Sequence, residues 1–538
     1  MTLPASASPT APVPPPLDGE ELKQIGGEAL AWLADYWSRL ERGQEADEPL
    51  PVLSQSVPGS IAAALPSDAP ERAESWHDIL SDLDRVVVPG LTHWQSPNFY
   101  AFFPANISTP GVLGELLSAG LGVNGMLWAT SPAATEVETR VMHWLGKAIG
   151  LPAAFSDVPD TTNNAGGVIQ GTASEATLVA MVAGRDRVRR ALRDQAAGQP
   201  SRGRPEYVVY ASQQAHSSVV KAAMLAGIAD DADDRTHVRL VPVDRAFRMR
   251  ADVLERWIRE DLSAGRAPCF IAATLGTTGC TAIDDLAGVA NAAQRAGFFG
   301  VPQRRTGWLH VDAAHAGAIA ICPEYRAMLG IPDGIARCDS ICFNPHKWLL
   351  TNFDCDCFWT SDRRSLTSAL SITPEYLRNA QSDSGSVIDY RDWQVPLGRR
   401  FRALKLWFVL RRFGLAALRT YVGEHIDLAA WLEERIVADA RFEVCAPRTM
   451  NLVCFRLRGS AAMDDRAVDA FNKSFMERIN AQGEIYFTHT VLPTFDERGE
   501  VVGTRLVLRM AIGASLTKRA HVERAWEILA SATAHHRI

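Results

Sequence analysis

Nine cysteines occur without a single CxxC spacing, which removes the usual signature of a zinc knuckle or a dithiol redox centre. The tightest pair is Cys355-Asp-Cys357, which alternation would put on one face of a strand. Reduced core thiols in a cytoplasmic protein are expected. Positive charge is not in excess: the net charge of -7 argues against a general nucleic-acid binder. No basic N-terminal segment leads into an apolar stretch, so no signal peptide is expected. Residues 116–135 carry no charge, but Gly120, Gly122, Asn124, Gly125 and Pro132 interrupt them, which predicts a buried, irregular segment and no membrane span. What remains is ordinary for a soluble globular protein with a large core: 47% hydrophobic and 22% charged residues in a chain of 538. At about 150 residues per domain, two to four units are expected.

The chain divides by composition. Residues 1–17 are rich in Pro, Ala, Ser and Thr and read as a disordered tail. From Asp18 to about Arg42 an apolar stripe of Leu30, Leu33, Tyr36, Trp37 and Leu40 predicts a helix, and a second short one is expected near Ser75–Val87. This segment, 18–108, has little core of its own and needs another surface, such as a second subunit. Ser131-Pro132 is a good helix start, with the helix running to about Ile149. Strand-like runs at Tyr207–Tyr210, Cys269–Leu275, Leu309–Ala314 and Ser340–Phe343 are mostly separated by helical stretches. That alternation predicts an α/β domain with a largely parallel sheet over 109–404, whose ligands sit at the carboxyl ends of strands. Runs such as Asn451–Leu457 and Arg505–Ala511 among helices predict a smaller α+β domain over 405–538.

Chemistry concentrates at a few places. Lys347 follows the apolar run Ser340–Phe343 and is hemmed in by Trp348, Leu349 and Leu350. Such company disfavours the ammonium form, lowers the pKa and leaves a nucleophilic amine suited to a Schiff base with an aldehyde, most commonly pyridoxal 5′-phosphate (PLP). The bland alternative is a lysine snorkelling from a strand end. Gly166–Ala176 reads as a glycine-rich turn passing Thr172 and Ser174 into a helix N-terminus, a cradle for phosphate or merely a capped helix. In Leu309–Ala314, period two puts His310, Asp312 and Ala314 on one face. Asp312 can keep a pyridine nitrogen protonated, or it can cap the next turn. A metal reading takes His310, Asp312 and His315 as ligands. The aromatic run His93–Pro104 is either core or a wall for a flat ligand. Residues 373–385 have the length and polarity of a lid, with Tyr376 as its one aromatic proton donor, or as a loop anchor.

Taken together, THWQSPNF, SPAATEVE, GTASEATL, QAHSSV, LGTTGCT, HVDAAHAG, FNPHKWLLTNFDCDCFW, SDSGSVIDYRDWQVPLGRRFRALKLWFV and HVERAWE are recognisable. The chain resembles the PLP-dependent group II decarboxylases, and most closely the aromatic L-amino-acid decarboxylases, from about residue 25 to about residue 532. The resemblance implies a fold type I (aspartate aminotransferase-like) homodimer with a small-molecule aromatic amino acid as substrate; the composition adds the expectation of no nucleic-acid or membrane partner. It implies that Lys347 carries the cofactor and Asp312 pairs with the ring nitrogen. His216 and Ala314 cover the two ring faces, and Thr172, Ala173, Ser174 and Asn344 grip the phosphate. Thr277 falls in the cofactor-side turn and His346 precedes the lysine. Tyr376 completes the site. Trp94, Phe102 and Phe103, with Asn124 and Met126 of the partner subunit, match the substrate-ring pocket. Family members often have tyrosine and a hydroxyl residue where this chain has Phe102 and Ala105, and an aromatic pair where it has Asn124 and Met126. Gly398 fits relatives that accept indolic or broad aromatic substrates, which favours Trp, 5-hydroxy-Trp, Dopa or Phe. A rival on the same fold is an aldehyde synthase, in which the loop tyrosine or stacking histidine is typically replaced; Tyr376 and His216 are both present here. A silent PLP-binding scaffold is the remaining alternative.

Overall fold

The computed structural model describes residues 16–156, 164–196, 205–301, 304–372, 387–460 and 462–534. Tyr376 and the rest of 373–385, and most of the 1–17 tail, lie outside them. Helix α1 (Gly19–Arg42) is N-capped by Asp18 and buries only Leu40. It is held to the following segment by Trp32 Nε1 donating to Asp84 and by Tyr36 Oη, which lies 2.9 Å from His93 Nδ1. Helix α2 (Thr109–Leu121) overturns the expectation of a buried, irregular stretch over its own residues. Ser108 caps it, and Leu116, Leu117 and Leu121 are exposed. Its inner face is glycine because a Cβ at Gly114 would stand 2.6 Å from the Cα of Lys405, so backbone meets backbone there. Helix α3 (Pro132–Ala148) starts at the Ser131 cap as predicted.

The main sheet has seven strands. In chain order they alternate with helices: β1 (Gly166–Gln170), α4 (Ala173–Gln195), β2 (Tyr207–Ser212), α5 (Ser218–Leu225), β3 (Val238–Val241), β4 (Ala267–Thr274), β5 (Trp308–Asp312), β6 (Ser340–Phe343), α6 (Pro345–Trp348) and β7 (Asp356–Thr360). Their spatial order is β1-β7-β6-β5-β4-β2-β3. Pairing is parallel from β3 to β6, while β7 runs antiparallel to both β6 and β1. The carboxyl ends of β1, β2, β4, β5 and β6 therefore open on one edge. The sheet is largely buried and mostly apolar, as expected where helices cover both faces, with polar exceptions such as Gln170, His310, Asp312 and Asp356. On β5 the alternation holds: Leu309, Val311 and Ala313 enter one core layer, while Ala314 packs on the other.

One sequence expectation changes here. Gly166–Gln170 is a buried strand, and the turn is confined to Gly171 and Thr172. Gly166 and Gly167 serve packing: a Cβ there would stand 2.6 Å from the Trp393 ring and 2.7 Å from Met142 and Trp359.

The helical segment α7 (Ala403–Ala438), broken by a kink at Gly414 (φ 71°), connects the main sheet to a second, antiparallel one. That sheet comprises β8 (Phe442–Val444), β9 (Leu452–Leu457), β10 (Thr488–Phe495) and β11 (Val501–Ala511), in the order β8-β9-β11-β10. All nine cysteines are buried and free. Among the described residues no helix is long and apolar enough to cross a membrane.

Candidate active site

Lys347 is positioned by its neighbours. Pro345 opens α6 directly after β6, and the Lys347 N–H donates to Asn344 O at 3.0 Å. Trp348, fully buried, anchors the turn: its ring lies 5.0 Å from that of His315, and its Nε1 donates to His425 Nδ1 at 2.9 Å. Truncating a tryptophan packed this way costs roughly 3–5 kcal/mol. The lysine faces a cavity of about 220 Å³ lined by Phe103, Thr172, Ala173, Ser174, His216, Ser218, Thr274, Gly276, Thr278, Asp312, Ala314, His315, Asn344, His346 and Phe353. Every lining residue but Phe103 and Phe353 sits at or beyond the carboxyl end of β1, β2, β4, β5 or β6, or in α6. Burial pushes the Lys347 amine below its ordinary pKa, against the opposing pull of the Asp312 carboxylate.

Asp312 ends β5 between Thr274 and Cys342. Its Oδ1 accepts the Ala314 N–H at 3.0 Å, so the turn-capping role is real, and the same carboxylate lines the cavity. His216 stands at the cavity mouth. Its Nδ1 accepts the Ser218 N–H at 3.1 Å, which puts the proton of the neutral ring on Nε2, and burial lowers its pKa. His346 Nδ1 likewise accepts the Cys355 N–H at 2.9 Å. Asn344 Oδ1 accepts the Ala173 N–H at 3.2 Å and ties β6 to the first turn of α4. Thr277 is turned into its own loop, where Oγ1 accepts the Ala282 N–H at 3.0 Å; its neighbours Gly276 and Thr278 line the cavity.

The aromatic candidates separate. Phe103 lines the cavity, whereas Trp94 and Phe102 stack on each other at 5.6 Å and are partly exposed outside it. Phe102 has φ of 52°, a left-handed backbone that non-glycine residues seldom adopt. Asn124, Met126 and Gly398 form a separate locus. Asn124 Oδ1 accepts the Arg399 N–H and Met126 O accepts the Arg391 N–H. A Cβ at Gly398 would meet only Asn124, at 3.8 Å. Arg399 binds this locus to β1, pairing with Glu138 at 2.7 Å and donating to Ile169 O at 2.9 Å.

The metal alternative has no support in the geometry. His310 Nδ1 lies 2.8 Å from Ser340 Oγ, and among the described residues no group of three His, Cys, Asp or Glu side chains could hold a metal.

Sequence reasoning missed Arg509, on β11. It is buried beside Phe103, 5.1 Å from the ring centroid. Nη1 donates to Thr488, but Nε and Nη2 have no partner, and among the described residues no carboxylate pairs with this arginine. Those two atoms form the edge that grips a carboxylate with two hydrogen bonds. Only the fold brings β11 beside Phe103, so spacing along the chain could not have found it.

The donor set suits an aldehyde-bearing pyridine with a phosphate: a desolvated amine, a carboxylate, and hydroxyls at the N-terminus of a 23-residue helix. Residues 58–458 match the pyridoxal-dependent decarboxylase conserved domain. The chain belongs to the pyridoxal-dependent decarboxylase family. It is 42% identical over 516 residues to a phenylacetaldehyde synthase of Arabidopsis thaliana, covering 96% of each chain. It is equally 42% identical to tryptophan decarboxylase 2 of Oryza sativa subsp. japonica, over 96% of this chain and 95% of that one. A crystal structure of Oryza sativa TDC with PLP and tryptamine superposes with a TM-score of 0.86 at 38% identity, covering 97% of this chain and 100% of that one. The fold is thus that of PLP-dependent decarboxylases, and PLP is the cofactor of this family member.

Burial also sets a pH limit. It lowers His93, His310 and His425 to about 4, and His315 and His346 to about 3. In the unfolded chain these rings titrate near about 6.5. Between those limits these rings bind more protons in the unfolded chain, so their contribution to stability is fully present above about pH 6.5 and is lost as pH falls toward the folded values. The thermal midpoint should hold near neutrality and drop progressively below about pH 6.5; a midpoint unchanged down to about pH 4 would contradict this.

Proposed function

We propose that this chain converts an aromatic L-amino acid (Trp, 5-hydroxy-Trp, Dopa, Phe or Tyr) to the corresponding amine and carbon dioxide, as an aromatic-L-amino-acid decarboxylase. The reading rests on one observation: Lys347, Asp312, His216, Ala314 and the Thr172–Ser174 turn all face one cavity. Lys347 holds the cofactor. Asp312 would balance charge at its ring nitrogen, His216 and Ala314 would cover the ring, and His346 lies beside the lysine. Thr172, Ala173, Ser174 and Asn344 hold the phosphate, and the Thr277 turn shapes the adjoining wall. When bound, PLP supplies an electron sink for the pair left behind as carbon dioxide departs. Arg509 takes the substrate carboxylate on its free Nε/Nη2 edge. Tyr376, with His216, delivers the proton to Cα.

The functional unit is a homodimer. Exposed apolar side chains on α2 (Leu116, Leu117, Leu121) and at Val395 and Leu397 support it. In that assembly Trp94, Phe102 and Phe103 form the substrate-ring wall with Asn124 of the partner subunit and Met126 of the partner subunit, and Gly398 belongs to the substrate pocket.

An aldehyde-forming reading has a specific support, since the phenylacetaldehyde synthase and the tryptophan decarboxylase are equally identical to this chain. The presence of Tyr376 and His216 favours the amine. The test is a panel of Trp, 5-hydroxy-Trp, Dopa, Tyr, Phe and His, read by carbon dioxide, amine, hydrogen peroxide and ammonia. Amine equal to carbon dioxide without peroxide is expected; peroxide and ammonia matching carbon dioxide would overturn the assignment. Arg509→Leu should raise KM by roughly 10- to 100-fold while keeping the cofactor absorbance, because one charge-assisted grip is lost. An unchanged KM would remove Arg509 from the carboxylate role.

A further inference from the structure

Asp356 opens β7 and is fully buried, yet both of its carboxyl oxygens lack a hydrogen-bond partner. It stands directly opposite Gln170, the last residue of β1, in the antiparallel β1–β7 ladder. Residues so paired share a face of the sheet, with Cβ atoms about 4.5–5.5 Å apart. Gln170 is also fully buried, and its amide orientation is settled because Nε2 donates to Trp393 O at 2.7 Å. Its Oε1 too has no partner. Two buried side chains thus stand side by side with only acceptor oxygens left over. The charged and titratable groups around Asp356 are Cys355 and Cys357 on its own segment, Cys342 on β6, Asp312 on β5, Glu175 on α4 and Lys347 on α6. Glu175 already accepts the Gly171 and Val395 N–H groups, and Arg402 is held by Asp354. Among the described residues no cation forms an ion pair with Asp356.

An ionised carboxylate without a partner in such a place is far costlier than the neutral acid, and Gln170 Oε1 needs a donor. One proton answers both needs, and of the two side chains only Asp356 can carry it. Resting on the proposed decarboxylase reading, we infer that Asp356 is a positioning residue that works as a carboxylic acid: its O–H donates to Gln170 Oε1 and so fixes the end of β1, from which the Thr172–Ser174 turn proposed to hold the phosphate departs. Burial pushes the Asp356 carboxyl well above its ordinary range; Cys355, Asp312 and Glu175 add to this, and Lys347 opposes it. The acid form also keeps one more negative charge away from a turn that is to take a phosphate.

The test compares the holoenzyme with Asp356→Asn, which stays neutral and keeps a donor for Gln170, with Asp356→Ala, which removes the donor, and with Gln170→Met, which removes the acceptor at similar size. The infrared difference between wild type and Asp356→Asn near neutral pH should contain the carbonyl stretch of a protonated carboxylic acid. Gln170→Met should move that band to higher frequency as the hydrogen bond is lost. Titrated with PLP after its removal, Asp356→Ala should bind roughly tenfold more weakly than the wild type, while Asp356→Asn stays close to it. Linkage gives a further readout. Above the unfolded carboxyl pKa of about 4 the folded wild type binds the extra proton, so its stability falls as pH rises, and Asp356→Asn is spared that loss. The thermal midpoint of Asp356→Asn should therefore gain on the wild type as pH rises above about 4. The inference is overturned if the band is absent, if Gln170→Met leaves it in place, if the midpoint difference does not grow with pH, or if Asp356→Asn loses as much cofactor affinity as Asp356→Ala. Should Asp356→Ala fail to fold, the spectra still decide. Failure of the underlying reading would look different: no substrate of the panel would release carbon dioxide, while the band and its shift would remain.

Discussion

Lys347→Ala is expected to erase the visible absorbance that the protein shows with its cofactor and to reduce turnover to background. The expectation is sharp because the substitution leaves the local frame intact. The Lys347 N–H bond to Asn344 O is a backbone bond, the turn is anchored by the neighbouring Trp348, and alanine is the best helix former. The lost group is the amine alone. Among the described residues it has no substitute in the cavity: the other basic side chains lining it are His216, His315 and His346, whose pKa values burial lowers and whose ring nitrogens cannot form the same link to an aldehyde. The variant should keep its thermal midpoint. Retained absorbance and turnover would show that another residue holds the cofactor.

Tyr376→Phe is expected to keep the cofactor absorbance and to lose amine formation. A hydroxyl is removed while the ring stays, so binding surfaces change little, but the proposed donor of the Cα proton is gone. His216 alone is a poor replacement, since burial lowers its pKa and its Nδ1 is engaged by Ser218. Amine made at the normal rate would remove the proton-donor role from Tyr376. Peroxide and ammonia in place of amine would show that this tyrosine separates the two product outcomes of the fold.

Much of the site was legible because the fold writes it locally. Ser340–Phe343 reads as a strand and is one over the same residues, and the alternation on β5 put Asp312 and Ala314 on one face, where both line the cavity. The helix behind the Ser131 cap was equally readable. Features that depend on distant partners were not. Gly166 and Gly167 looked like a turn because the rings that require a missing Cβ, Trp393 and Trp359, lie about two hundred residues away. The apolar stretch after Glu115 looked buried, but Leu116, Leu117 and Leu121 are exposed on this chain. Arg509 was invisible for the same reason: only the approach of the second sheet to the first carries a lone buried guanidinium beside Phe103.

Lys347 is the residue proposed to hold the cofactor. Borohydride reduction of the holoenzyme followed by proteolysis and peptide mapping tests this directly. A single pyridoxyl group on Lys347 is predicted; an unmodified Lys347, with the label on another residue or on none, would contradict the account.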